Sequence, residues 1–157
     1  MDVDAVVNAA NPALAPGGGV CGAIFRAAGS LRLQEACQAL GSCEPGDAKA
    51  TPGFALPARW IVHTVGPVWH GGTEGEDGAL VSCYQRSLSV ATEVGARSIA
   101  FPAISTGIFG FPPDRAAAIA ARTVREMPTD VETVWLVAFD RGTLTRYEAL
   151  LQGTDAR

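Results

Sequence analysis

The fifteen residues from Ala15 to Gly29, "APGGGVCGAIFRAAG", concentrate the groups in this chain that could do chemistry. As letters, Gly17-x-Gly19-x-x-Gly22 matches the dinucleotide-binding fingerprint. In nicotinamide-binding folds the first glycine follows a strand almost directly, and an acidic residue about 20 positions on holds the ribose. Here nine residues, Asn8 to Pro16, separate the apolar run ending at Val7 from Gly17, and the region Gly41 to Glu44 is not the end of a strand. No Gly-Lys-Ser/Thr follows, so a P-loop is excluded as well. What survives is physical. Successive glycines let a ligand approach the main chain closely. A helix beginning near Val20 offers free N–H groups and roughly +0.5 of an elementary charge at its N-terminus. Such an end accommodates an anion. The competing reading is a loose surface loop of small residues.

A second loop, "AISTGIFGFP" from Ala103 to Pro112, leaves a buried strand with Ser105, Thr106, Gly107 and Gly110 interleaved with Ile108 and Phe109. Hydroxyls and main-chain amides of this kind can clamp a diphosphate while the apolar pair covers one side. Two such loops at the carboxyl edge of one sheet would grip a nucleotide diphosphate from two sides without a metal. The four cysteines, Cys21, Cys37, Cys43 and Cys83, form no C-x-x-C pair and are not flanked by His63 or His70, so a structural zinc is not expected. His63 lies inside the apolar run "RWIVHTV" and reads as a core histidine rather than a catalytic one.

These loops need a scaffold, and the rest of the chain supplies an alternation of strands and helices. Strands are expected at Asp4 to Asn8, at the bent or edge segment "GDAKATPGF", at Arg59 to Val65, at "RSIAFPAI" and at Thr133 to Phe139. Helices are expected from Val20 to Ala28 and from Leu31 to Gly41. A long helix capped by Asp77 or a neighbour would carry Leu80, Tyr84, Leu88 and Ala91 on one face. Further helices run from Pro113 to Met127 and from "TRYEALL" onward. This is an α/β chain with a largely parallel or mixed central sheet covered on both faces. At 157 residues and 48 % hydrophobic, with no repeat or low-complexity linker, residues 1–157 read as one domain. A net charge of −4 argues against gripping nucleic acid through phosphates. With no signal peptide and no apolar run near 18 residues, the expectation is a monomer in the cytoplasm with no membrane partner.

The segments "VDAVVNAANPALAPGGGVCGAIFRAAG", "LPARWIVHTVGPVWHGG" and "IAFPAISTGIFGFP" together resemble the macrodomain family, in particular its ADP-ribosyl hydrolase branch, whose members are often named O-acetyl-ADP-ribose deacetylases. The resemblance implies a three-layer α/β/α fold, ADP-ribose or ADP-ribosylated proteins as partners, and no cofactor. Asn11, the second asparagine of "NAAN", matches the residue that orients the distal ribose and helps catalysis. Gly17, Gly18, Gly19 and Val20 match the loop around that ribose and a phosphate. Ser105, Thr106, Gly107, Ile108 and Phe109 match the diphosphate loop, and Phe139 falls where an aromatic often stacks on adenine, with Asp140 beside it.

The chain departs from the family in three places. An aspartate thought to position or activate the attacking water usually stands where this chain has Cys21, and a histidine often stands where it has Phe25. Both positions are still counted among the expected ligand contacts. Members also usually begin with another strand and a turn whose aspartate binds the adenine amine, whereas this chain starts at "MDVDAVV". Either the start is cut short, leaving the first family strand absent, or adenine is recognised differently; Asp2 and Asp4 lie too close to the strand to be assigned that role. Three functions stay open. One is hydrolysis of glutamate or aspartate esters, or of O-acetyl-ADP-ribose, with the substrate's phosphate orienting water. The second is a reader that only binds. The third is thiol chemistry at Cys21, near a helix N-terminus that favours the thiolate.

Overall fold

The computed structural model describes residues 2–155. Five strands form one sheet in the order β2-β3-β1-β4-β5: β1 Ala5–Ala10, β2 Ala48–Pro52, β3 Trp60–Val65, β4 Ser98–Phe101 and β5 Thr133–Leu136. β1 runs parallel to both β3 and β4, and β5 runs parallel to β4. Only β2 is antiparallel, and Pro52, which lacks an N–H donor, ends this edge strand.

The period-two side-chain alternation of β1 explains the layers. Ala5 and Val7 face a core with Val62, Ile99, Phe101, Leu80, Tyr84 and Leu88. That core is roofed by α3 (Glu76–Glu93), α4 (Pro113–Glu126) and, through Tyr147, α5 (Arg141–Asp155). Ala10 faces the other way, toward Phe25, Leu33 and Cys37 of α1 (Gly19–Ala28) and α2 (Ser30–Leu40). The expected stripe Leu80, Tyr84, Leu88 and Ala91 is buried throughout, so the 3.6-residue period read the correct face of α3.

Three local expectations are corrected. Asp77 does not cap α3: Gly75, left-handed at φ +78°, occupies the cap position, and Asp77 pairs with Arg115. β5 ends at Leu136 rather than Phe139. The closing helix starts at Arg141, because the Asp140 carboxylate accepts the Thr143 N–H at 2.7 Å and its carbonyl accepts the Leu144 N–H. Among the described residues, no helix is long and apolar enough to cross a membrane.

Candidate functional site

Because β3, β1 and β4 are parallel neighbours, the loops that follow them leave one edge of the sheet. They then part. The loop after β1 runs to α1 on one face, while those after β3 and β4 lead to α3 and α4 on the other. The latter two meet across the end of β1: a Cβ at Gly66 would overlap the Ser105 hydroxyl. A crevice at the carboxyl end of β1 is where open α/β sheets bind ligands.

Asn11 shapes the first wall. Its Nδ2 donates to the Ala15 carbonyl at 2.9 Å, and its Oδ1 accepts the Ala15 N–H at 3.0 Å. A side-chain amide has two donor hydrogens and two acceptor lone pairs, so one of each is left for a ligand while the group stays oriented. Beyond it, Gly18 is the extended cap of α1, and the first intrahelical N–H is that of Gly22, to the Gly18 carbonyl. The N–H groups of Gly19, Val20 and Cys21 therefore point out of the helix end, and no acidic side chain occupies the first turn. Gly19 takes φ +55°, which a larger residue would adopt with strain.

Cys21 is 7 % exposed. A Cβ placed on Gly17 would lie 3.7 Å from its Sγ and 3.8 Å from Asn11 Nδ2, so these three residues bound one small volume. The polar neighbours of the thiol are the Asn8 amide at 3.6 Å and the Ala15 carbonyl at 3.8 Å, neither of them a base. Phe25 is 2 % exposed and packs with Leu14, Cys21 and Leu33, supporting the loop from beneath.

The second wall is tied by the Phe111 N–H to the Ser105 carbonyl, the Gly110 N–H to the Gly107 carbonyl, and the Thr106 hydroxyl to the Ala103 carbonyl. Ser105 holds φ +66°, and its hydroxyl is buried with no hydrogen-bond partner among the described residues. Ile108 is fully exposed at the tip, Gly107 is exposed and Phe109 half-buried. Phe139 is 68 % exposed at the β5 end of the same edge. Asp140 beside it spends its carboxylate on the Thr143 N–H and hydroxyl, which hold it below the usual carboxylate range. Asp4 is at the opposite edge of the sheet, where its carboxylate accepts the Arg97 N–H.

His63 is fully buried, as a core residue should be. Its Nδ1 lies 3.0 Å from Asn8 Nδ2 and its Nε2 2.9 Å from the Thr51 hydroxyl. Burial lowers its pKa from 6.5 to about 4. Between those values the unfolded chain binds a proton that the folded chain refuses, so this contribution to stability is complete above pH 6.5 and declines toward pH 4. Denaturant unfolding at pH 7 and at pH 4.5 should therefore give a larger stability difference for the wild type than for His63→Gln. Equal differences would show that His63 titrates normally. Burial also pushes the Cys37 and Cys83 thiols up to about 11, leaving both inert.

Glu76 and any role for the loop after β3, residues 66–75, escaped the sequence reading, although residues 66–72 lie within "LPARWIVHTVGPVWHGG". Their signal is the run of Gly71, Gly72 and Gly75, which all take positive φ.

Against known proteins, the Macro domain family model matches residues 7–120. A macro domain-containing protein of Ralstonia nicotianae is 55 % identical over 148 residues, covering 94 % of this chain and 86 % of the relative. A Klebsiella pneumoniae protein named O-acetyl-ADP-ribose deacetylase is 50 % identical over 157 residues, covering 96 % of this chain and 90 % of its own. The Oceanobacillus iheyensis macrodomain solved with ADP superposes with a TM-score of 0.93 at 37 % identity, covering 99 % of this chain and 86 % of that one. That protein has also been solved as asparagine-to-alanine, glycine-to-valine and aspartate-to-alanine variants at positions successively seven and three residues apart. A model match over residues 7–120, relatives at half identity or more and one shared fold agree: this chain belongs to the macrodomain family.

Proposed function

We propose that residues 1–157 form one macrodomain that binds ADP-ribose and hydrolyses mono-ADP-ribose esters of protein glutamate or aspartate, or O-acetyl-ADP-ribose. The observation that carries this reading is the placement of two loops at the carboxyl ends of the neighbouring parallel strands β1 and β4. The first leads through an oriented amide, Asn11, into the open N-terminus of α1, and the second is the Ser105–Phe111 loop. The diphosphate would lie between the two sets of main-chain N–H groups, Gly17 to Val20 on one side and Ser105 to Phe109 on the other. Asn11 would hold the distal ribose, and the exposed ring of Phe139 would receive adenine. Asn11, Gly18 and Cys21 repeat the seven-and-three spacing of the altered positions in the Oceanobacillus protein, with cysteine where that chain has aspartate.

With no carboxylate there, water would be oriented by the bound substrate's own phosphate. Attack cleaves the ester and leaves ADP-ribose and a carboxylic acid. Positioning alone is worth up to about 7–11 kcal/mol in favourable cases. The environment of Cys21 favours one other reading, a binding module without catalysis, because nothing beside the thiol can take a proton. The same environment argues against thiol catalysis. The four free thiols support a reducing, cytoplasmic setting, and one chain supplies every proposed contact, as a monomer would.

Residues 5–25 and 98–113 contain no charged side chain. Two phosphate charges would therefore be met chiefly by main-chain dipoles, which salt screens little at contact distance, although the Arg26 guanidinium lies beside Gly22. Calorimetric titration with ADP-ribose should show binding whose Kd changes less than about threefold between 50 and 500 mM NaCl. Release of ADP-ribose from a glutamate-linked substrate then separates hydrolase from reader. No heat at millimolar ligand would end both readings, and a tenfold salt effect would mean that arginines hold the phosphates.

A further inference from the structure

We propose that Glu76 is a positioning residue for the diphosphate loop, acting through the loop after β3; the inference rests on the ADP-ribose reading above. Glu76 opens α3 and is 3 % exposed, yet among the described residues its carboxylate is held by main-chain N–H groups rather than by a salt bridge. Its Oε2 accepts the N–H groups of His70 at 2.8 Å and Gly72 at 3.0 Å, and its Oε1 accepts that of Glu74 at 2.7 Å. Three amides within five residues thus converge on one carboxylate. Burial would raise its pKa, but these donations outweigh that and lower it to about 2. The loop it organises takes left-handed backbone at Gly71, Gly72 and Gly75, so the chain itself has little preference among conformations. The carboxylate selects one.

That conformation is transmitted to the ligand wall. Trp69, next to His70, donates its N–H to the Phe109 carbonyl at 2.8 Å, and its ring lies 4.9 Å from the ring of Phe111. Gly72 makes room, since a Cβ there would come within 2.8 Å of the Trp69 ring. Arg115 covers Trp69, with its guanidinium carbon 5.5 Å from the ring centre. At the other end of the same loop, Gly66 touches Ser105. The Ser105–Phe111 segment is therefore held from outside at both ends by a loop whose shape depends on a single side chain. Among the described residues, the hydrogen bonds of the Glu76 carboxylate to other residues all go to this loop, so its effect on a ligand passes through Trp69 and Gly66.

Glu76→Gln replaces one acceptor oxygen with an NH2 that opposes a main-chain N–H. Its Kd for ADP-ribose should rise about tenfold, and hydrogen exchange at residues 105–111 should quicken while β1 stays protected. Leu80→Ala, a core truncation on the same helix, should lower stability and leave both readings within twofold of wild type. A merely structural Glu76 would make the two variants behave alike. In the double variant Trp69→Ala/Glu76→Gln the losses should fall short of additive, because both cut one path. A folded Glu76→Gln protein with wild-type Kd and wild-type exchange at 105–111 overturns the proposal. If that variant does not fold, Trp69→Ala severs the path alone, and unchanged affinity and exchange overturn it equally. Should wild type bind no ADP-ribose, the functional reading fails, and the exchange measurement still decides the role of Glu76.

Discussion

Cys21→Asp should release ADP-ribose from a glutamate-linked mono-ADP-ribosyl substrate about a hundredfold faster than wild type, the lower end of what a positioned general base supplies. The position is prepared for a carboxylate. Cys21 lies in the first turn of α1, where the helix end favours negative charge, and Asn8 Nδ2, now 3.6 Å from the sulfur, can donate to an oxygen there. Gly17 and Asn11 close the same volume, so the new group would face the sugar that Asn11 is proposed to hold. The Ala15 carbonyl, 3.8 Å from the sulfur, opposes the change, and a residue only 7 % exposed desolvates its charge. Both effects cost stability and push the carboxyl pKa upward, toward the range in which a base works near neutral pH. Single-turnover release and calorimetry should show the rate rising while Kd moves less than about threefold, the pattern of an interaction made in the transition state. An unchanged rate with retained binding would mean that water is not activated at this position. Cys21→Ala supplies the complement: a residual rate equal to wild type excludes the thiol, and a collapse with intact binding revives it.

How much of this site was legible in the sequence depends on how local its causes are. The positions of both glycine loops were readable because the strands before them, β1 and β4, are short apolar runs with sharp ends. His63 was readable for the same reason, since a histidine inside "RWIVHTV" can hardly escape burial. The burial of Phe25 was not, because only the packing of α1 on Leu14 and Leu33 turns its ring inward. Asp77 and Glu76 are adjacent acids before an apolar stripe, and capping propensity could not choose between them. The left-handed Gly75 shifts the helix start so that Glu76 curls back under its own loop and Asp77 reaches Arg115. Likewise "TVWLVAF" reads as strand to its end, but β4 stops at Phe101, and β5 has little to pair with beyond the Val137 N–H to the Phe101 carbonyl. The partner strand's length sets the boundary.

Gly22→Ala should weaken binding severely, although alanine is the better helix former by about 0.8–1 kcal/mol. A Cβ at this position would overlap the carbonyl oxygen of Gly17, which is main chain and cannot rotate away, and the Arg26 guanidinium at 3.2 Å closes the other side. To admit the methyl, α1 must move off the glycine loop by about an ångström, at an overpacking cost of about 1–3 kcal/mol. That motion shifts the N–H groups of Gly19 and Val20 relative to those of Ser105 to Phe109, the two halves of the proposed grip, and Kd for ADP-ribose should rise at least thirtyfold, since misplacement by about 1 Å is severe at a preorganised site. Gly18→Ala is the informative partner. Its backbone is extended at φ −87°, and a Cβ there meets nothing within 4 Å, so thermal unfolding should be unchanged. If the ligand approaches the main chain at Gly18 as proposed, affinity should still fall. The two variants then separate what the glycines do for the fold from what they do for the ligand. Gly22 lets the helix lie against the loop, and Gly18 lets the phosphate lie against the main chain. Wild-type affinity in Gly22→Ala would show that the helix and loop tolerate separation and that the N–H groups at the start of α1 do not hold the ligand.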